Sequence, residues 1–330
     1  MEQSLSDKIK IGSFLCTVLV VLRHSLNLQA FGLINDNGTL TTFIEMGVSK
    51  QTEIAVPFFF MVSGFFFFRH TYYGKNEYVR MVAKKWHTLF VPFLFWNLIG
   101  MVIILITQRL VCEDEWWRYC IQLLHSDWNG VLWYVRDIMS MMLLVPFYGW
   151  IFMIDNKWLY IALFIGLFLH WVPVDCSWLS SEGMLFFFLG GVLQRHSDVL
   201  KWRISKHGLW LITAIWLASC FVYPHYWAIH KYNTLLGLIV GWQWLDYISN
   251  KWYGVLLRLS PFTFFIYVMH ADILKVMKVS LAHFFPFNEL VALLAFSLLP
   301  VVTVIMLFYI GICWCKKYPN SFLFVTGGRG

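Results

Sequence analysis

The chain has 330 residues, of which 59% are hydrophobic and 19% aromatic but only 13% charged, and its mean hydropathy is +0.65. Soluble domains carry about 25% charged residues, so this chain cannot clothe itself in polar groups, and the composition points to a polytopic helical membrane protein. The formal net charge of +7 then reports on membrane topology rather than on nucleic acid.

Crossing ~30 Å of hydrocarbon takes about 20 mostly apolar residues. Such windows fall at 11–30, 53–69, 87–108, 131–153, 157–174, 182–195, 208–223, 232–249, 259–279 and 289–315. They predict an all-α fold of about ten transmembrane helices, with 1–330 as one integral-membrane domain. Between the third and fourth windows, "DEWWRYCIQLLHS" (114–126) mixes aromatic and charged residues and predicts an interfacial amphipathic helix.

Orientation follows from the basic residues. A cytoplasmic N-terminus puts Lys8 and Lys10 inside, then Arg69, Lys75, Arg80, Lys84 and Lys85 in the next inner loop. Later inner segments take Lys157, then Arg195 to Lys206, Lys251 and Arg258, and finally Lys316, Lys317 and Arg329. Outer loops keep only Lys50, Arg109, Arg118 and Lys231, with Lys275 and Lys278 near an outer end. That asymmetry predicts both termini in the cytoplasm. The seven cysteines lack metal-ligand spacing, and no metal is expected. Cys112, Cys120, Cys176 and Cys220 fall near the outer side, where a disulfide among them stays open.

Ionisable groups at membrane depth are costly and mark function or a partner. The first helix carries two, in "LCTVLVVLRHSLN" (15–27). His24 lies ~21 Å beyond Lys10 at 1.5 Å per residue, in the outer half of the bilayer. Arg23 is placed to snorkel to the outer interface. His24 is either a hydrogen-bonded packing residue or a proton carrier, since an imidazole titrates near neutrality. Arg136, just inside the fourth helix, is either a ligand for developing negative charge or the partner of Asp137. His270 sits near mid-bilayer, with Asp272 on another face. Trp133 suits stacking on a sugar or an interfacial belt. Asn97 and Ser63 suit helix–helix hydrogen bonding, and Gly64, Gly190 and Gly191 suit close helix approach. His125, Asp127 and Asn129 form a candidate outer rim.

The motifs "TVLVVLRHS", "AVPFFFMVSGFFFF" (55–68), "LFVPFLFWNLIG" (89–100), "LWYVRDIMSMMLLVPF" (132–147), "LFFFLGGVL" (185–193), "FFIYVMH" (264–270) and "TGGR" (326–329) follow in order along nearly the whole chain. Together they resemble acyltransferase family 3 of membrane proteins. The resemblance implies transfer of an acyl group, usually acetyl, from cytoplasmic acyl-CoA to a hydroxyl of a glycan or lipid-linked saccharide, by a multi-pass protein of the inner cell membrane. It maps the family's helix-one histidine onto His24 as general base and raises Arg136 to an oxyanion or acceptor ligand. Trp133, His270 and Asn97 become substrate-binding candidates. Arg69, Lys75, Arg80, Lys84 and Lys85 become ligands for the phosphates of the donor, with topogenic charge as their simpler reading. Members commonly carry a basic residue where this chain has Ser13, and Lys10 is a candidate replacement. Phe58 to Phe60 suit a lining wide enough for more than acetyl. The alternative function is transport of a small polar solute on the same fold, which the loss at Ser13 favours. A structural partner in a glycan-synthesis complex is the third reading.

Overall fold

The computed structural model describes residues 4–26, 47–69, 74–106, 115–172, 179–222, 227–285 and 289–329. Its named helices are α1 (Leu5–Ser25), α2 (Ala55–Phe67), α3 (Lys75–Lys85), α4 (Val91–Ile106), α5 (Trp116–His125), α6 (Trp133–Met141), α7 (Val145–Ile154), α8 (Lys157–Trp171), α9 (Ser181–Arg195), α10 (Lys206–Val222), α11 (Trp227–Trp244), α12 (Asn250–Leu259), α13 (Thr263–Phe284), α14 (Glu289–Lys317) and α15 (Pro319–Val325). No strand occurs among the described residues. Every apolar window of the sequence overlaps a helix among the described residues. Four helical stretches among the described residues are long and apolar enough to cross a membrane: Lys75–Ile106, Gly130–Ile154, Asn250–Phe284 and Leu294–Lys317. The described residues form an all-helical fold consistent with a membrane protein, and α5 forms where the amphipathic segment was expected.

One expectation is corrected. The basic stretch after the second window is not a loop, because α3 already begins at Lys75 and runs through a π-helical turn at Trp86–Phe90 into α4. The turn absorbs Pro92, which has no N–H to give the carbonyl of Thr88 one turn earlier. On α3, Lys75, Arg80 and Lys84 are exposed while Met81 is buried, and the Tyr78 hydroxyl donates to the Met142 carbonyl at 3.2 Å.

The chain divides into two compact units, Met1–Phe59 with Lys201–Cys313, and Phe60–Leu200 with Trp314–Gly330. In the first, α1 starts at an N-cap, where the Ser4 side chain accepts from the Asp7 amide at 3.2 Å, relieving one orphan donor of the first turn. α1 and α13 run parallel. At the starting end Lys8 is buried and pairs with Asp246 at 2.8 Å, with Arg203 at 3.8 Å from the same carboxylate, and the Tyr253 hydroxyl donates to Asp7 at 3.3 Å. At the far end the Lys278 ammonium reaches the last carbonyls of α1. α10 and α11 form a hairpin held by Trp244 to Thr213 at 2.9 Å and Ser219 to Asn233 at 2.7 Å.

The second unit is built on an aromatic core, in which Phe152 stacks on Phe188 at 5.6 Å and Phe68, Tyr148 and Phe187 pack edge to face or tilted around them. α2 and α9 cross at their glycines. A side chain at Gly64 would strike the Phe187 carbonyl, and one at Gly190 would strike the Met61 carbonyl. Backbones touch here, which is the packing role expected of small residues between membrane helices. α8 and α9 form a pair: Asn156 and Ser180 cap their N-termini, and the Trp171 indole donates to Glu182 at 3.2 Å.

Candidate functional site

The candidate site residues distribute over both units, and each unit is considered by itself. In the first, α1 and α13 bring His24 and His270 together. Their ring centroids are 4.9 Å apart in an edge-to-face arrangement. The two environments differ. His24 is exposed, whereas His270 is completely buried. The His270 Nδ1 lies 2.6 Å from the Tyr267 carbonyl one turn earlier. A carbonyl only accepts, so Nδ1 carries the proton and Nε2 of the neutral ring keeps its lone pair. That Nε2 is buried and has no hydrogen-bond partner among the described residues.

Behind this pair stands a residue that sequence reasoning placed at an outer helix end and did not connect with His24. Lys278 is 3% exposed. Its ammonium donates to the His24 carbonyl at 2.7 Å and to the Leu26 carbonyl. The last carbonyls of a helix lack intrahelical donors and carry partial negative charge, so a cation there satisfies them and holds the His24 backbone. The available signal was a lysine within an apolar helix that also carries His270. At the other end of α1, Lys10 is exposed and turned to Asp7 at 3.3 Å, and the Ser13 hydroxyl donates to the Ile9 carbonyl at 2.8 Å.

In the second unit the Arg136 guanidinium is engaged. Its Nε and Nη2 each lie 2.9 Å from Oδ1 of the buried Asp137, and Nη1 donates to the His125 carbonyl at 3.2 Å. The ion-pair alternative is the observed one, and it ties α6 to the end of α5, where Ser126 adopts a left-handed conformation (φ 60°). Asn129 is buried beside this corner and Asp127 is exposed. Trp133 is half-buried against Phe60, centroids 6.4 Å apart. Asn97 is fully buried; its amide donates to the Phe93 carbonyl at 3.0 Å, and its Oδ1 has no partner among the described residues.

Of the expected donor ligands, Arg69, Lys75, Arg80 and Lys84 are exposed. Lys85 differs. It is half-buried with its ammonium 4.4 Å over the Phe67 ring. Nearby in the same unit, the Ser63 and Tyr134 hydroxyls are hydrogen-bonded at 3.0 Å. Of the four cysteines considered for a disulfide, Cys120 and Cys220 are free thiols, and Cys112 and Cys176 lie outside the described residues. No group of three or more metal-ligating side chains occurs among the described residues.

A family model described as an acyltransferase domain (Acyl_transf_3) matches residues 13–315. The chain belongs to the acyltransferase 3 family. The match begins at Ser13 within α1, covers every helix from α2 to α13 and nearly all of α14, and leaves α15 and "TGGR" outside it. Comparison with curated proteins and with solved structures found no match. Family membership makes this a membrane protein of acyltransferase type with an acyl donor and an acceptor as its substrates. Within this family member, the histidine pair joins an accessible imidazole to a sealed one, and the second unit holds a half-buried cation.

Proposed function

We propose that this acyltransferase 3 protein is a membrane O-acyltransferase. It moves an acyl group, acetyl in the simplest case, from cytoplasmic acyl-CoA to a hydroxyl of a glycan or lipid-linked saccharide. The observation that carries the reading is the accessible His24 ring backed at 4.9 Å by buried His270. The acceptor hydroxyl gives its proton to His24 as its oxygen bonds to the thioester carbonyl carbon. The tetrahedral intermediate collapses by breaking the carbon–sulfur bond, and the leaving thiolate takes the proton back from the imidazolium. A neutral imidazole within hydrogen-bond reach of the hydroxyl suits the first step.

His270 acts in this reading as the support of His24. Arg136, already bound to a carboxylate and a main-chain carbonyl, is a weaker ligand for an oxyanion than a bare guanidinium, and we assign it to holding the α5–α6 corner. Trp133 and Asn97 are kept as acceptor contacts. Lys85 leads the donor ligands because it alone of the basic set on α3 is half-buried. The basic-residue asymmetry supports ten crossings of the cell membrane with both termini cytoplasmic, and the parallel course of α1 and α13 agrees with that count.

The alternative is solute transport, and a specific observation favours it: the usual helix-one cation is absent at Ser13, and Lys10 is turned away to Asp7. The experiment is acetyl-CoA turnover by purified protein in nanodiscs with CoA binding measured in parallel. Binding by wild type and His24→Ala, with turnover only in wild type, supports the enzyme. A monodisperse wild type that binds no CoA sinks it and turns attention to flux of small polar solutes.

A further inference from the structure

The ring of His270 keeps one acceptor that its packing leaves unsatisfied. Its Nδ1 proton goes to the Tyr267 carbonyl at 2.6 Å, so Nε2 holds a lone pair. That atom is fully buried and has no hydrogen-bond partner among the described residues. A buried acceptor without a donor is costly, and one that persists calls for a donor or a role. The neighbouring His24 ring stands edge to face, with centroids 4.9 Å apart and planes inclined at 65°. A hydrogen bond of about 2.9 Å between two imidazole nitrogens sets the ring centres roughly 5 Å apart. The pair thus has the spacing for such a bond without its alignment.

Alignment needs little motion. His24 is exposed, so its ring turns about its own side-chain bonds, while the Lys278 ammonium holds the His24 and Leu26 carbonyls in place. Charge points the same way. A proton gained by His24 makes an imidazolium, and the ionic groups beside it, Arg23 and Lys278, are both positive. Asp272 and Lys275 share α13 with His270 but lie on other faces. Asp7, Lys8 and Lys10 of α1 and Tyr253 of α12 belong to the opposite end of α1. Among these groups the Nε2 lone pair is the negative pole that an imidazolium at position 24 can reach.

We infer that His270 is a positioning residue whose Nε2 accepts the N–H of His24 and thereby fixes which nitrogen of His24 is bare. Neutral His24 then presents its other nitrogen, with its lone pair, to the acceptor hydroxyl. As the hydroxyl oxygen bonds to the thioester carbonyl carbon, its proton moves to that bare nitrogen. The N–H already given to His270 strengthens as the ring gains charge. When the carbon–sulfur bond breaks, the proton passes to the leaving thiolate, and His24 returns to the same tautomer. His270 keeps its own proton on Nδ1 throughout. A buried neutral imidazole so takes the part that a carboxylate plays behind the histidine of a triad. The assignment rests on the general-base reading of His24 above.

Full-length protein in nanodiscs is assayed for acetyl-CoA turnover as wild type, His24→Ala, His270→Leu, His270→Gln and the double variant His24→Ala/His270→Leu. His270→Leu is expected to lower kcat about tenfold or more with KM for acetyl-CoA unchanged. His270→Gln, whose side-chain carbonyl accepts close to the place of Nε2, is expected to recover part of that loss. Once His24 is alanine, His270→Leu is expected to cost nothing further, because a residue acting through His24 loses its effect with it. A readout independent of turnover is nitrogen NMR of protein labelled at its histidines, the His24 signals being identified by their loss in His24→Ala. One neutral tautomer is expected for His24 in wild type and a mixture in His270→Leu. Gel filtration and melting temperature check the fold of each variant. Turnover lost in His24→Ala but unchanged in both His270 variants overturns the positioning role and leaves the base reading standing. Turnover retained in His24→Ala overturns the base reading and this role with it. A fall in kcat in His270→Leu with the His24 tautomer unaltered also overturns it, since His270 would then act on something other than His24.

Discussion

His270 backs His24 edge to face at 4.9 Å, the one completely buried and the other exposed. The tautomer of His270 is set by its own helix, through the Tyr267 carbonyl, so its second nitrogen presents a lone pair rather than a proton. Loss of a positioned base removes about 10²–10⁴-fold in rate. His24→Ala is expected to lose acetyl-CoA turnover by that factor while eluting and melting like wild type. His270→Gln is expected to lower kcat and change its pH dependence, with KM for the donor little altered. Arg23→Ala is expected to retain most activity, since Arg23 is exposed next to the pair. Equal losses at Arg23 and His24 would remove the distinction between them.

Lys278 holds the end of α1 by two main-chain carbonyls. Hydrogen bonds to a charged group are each worth about 1.5–3 kcal/mol. Lys278→Met is expected to lower the melting temperature by several degrees and to reduce turnover, because the His24 backbone loses its clamp. Thermal unfolding followed by intrinsic tryptophan fluorescence reads the first effect. An unchanged melting curve would show that α1 ends stably without it.

The crossing of α2 and α9 allows no side chain at either glycine. Gly64→Ala and Gly190→Ala each push a methyl group into a main-chain carbonyl oxygen, and neither backbone can withdraw without separating the helices. Both are expected to cut the yield of monodisperse protein sharply. Gly166→Ala on α8 meets nothing within 4 Å and serves as the control, expected to be neutral or stabilising by about 0.5–1 kcal/mol.

At the opposite end of α1, Lys8 and Asp246 form a buried pair at 2.8 Å, with the Trp242 ring 4.1 Å from the ammonium. Burial pulls the Lys8 pKa below its ordinary value, while Asp246 opposes the shift. Removing one partner of such a pair leaves an uncompensated charge and costs about 3–5 kcal/mol. Asp246→Leu is therefore expected to be the more harmful single change, because it strands buried Lys8 whereas Arg203 still faces Asp246 after Lys8→Met, and the double variant Lys8→Met/Asp246→Leu to recover much of the loss. Comparison of the three melting temperatures checks it; strict additivity of the two single losses would mean the pair is not coupled.

Composition alone determined that this chain lives in a membrane, because 13% charged residues cannot solvate a fold of this length. Apolar windows located its helices, since a helix satisfies its own backbone in hydrocarbon and therefore announces itself locally. Ordered motifs disclosed the family, and with it His24. Chains of local signals do not record which distant side chains meet. Only the tertiary structure brought His270 against His24, since the two lie on separate helices and neither marks the other in sequence. It turned Lys278 from an end-of-helix charge into a clamp, turned Arg136 to its neighbour Asp137, and converted a basic loop into α3. It also docked the "TGGR" segment against the turn at Thr88 and Pro92, where residue counting had left only cytoplasmic charge. These pairings depend on how helices pack, which small residues such as Gly64 and Gly190 decide by letting backbones touch, and hydropathy is blind to that contact.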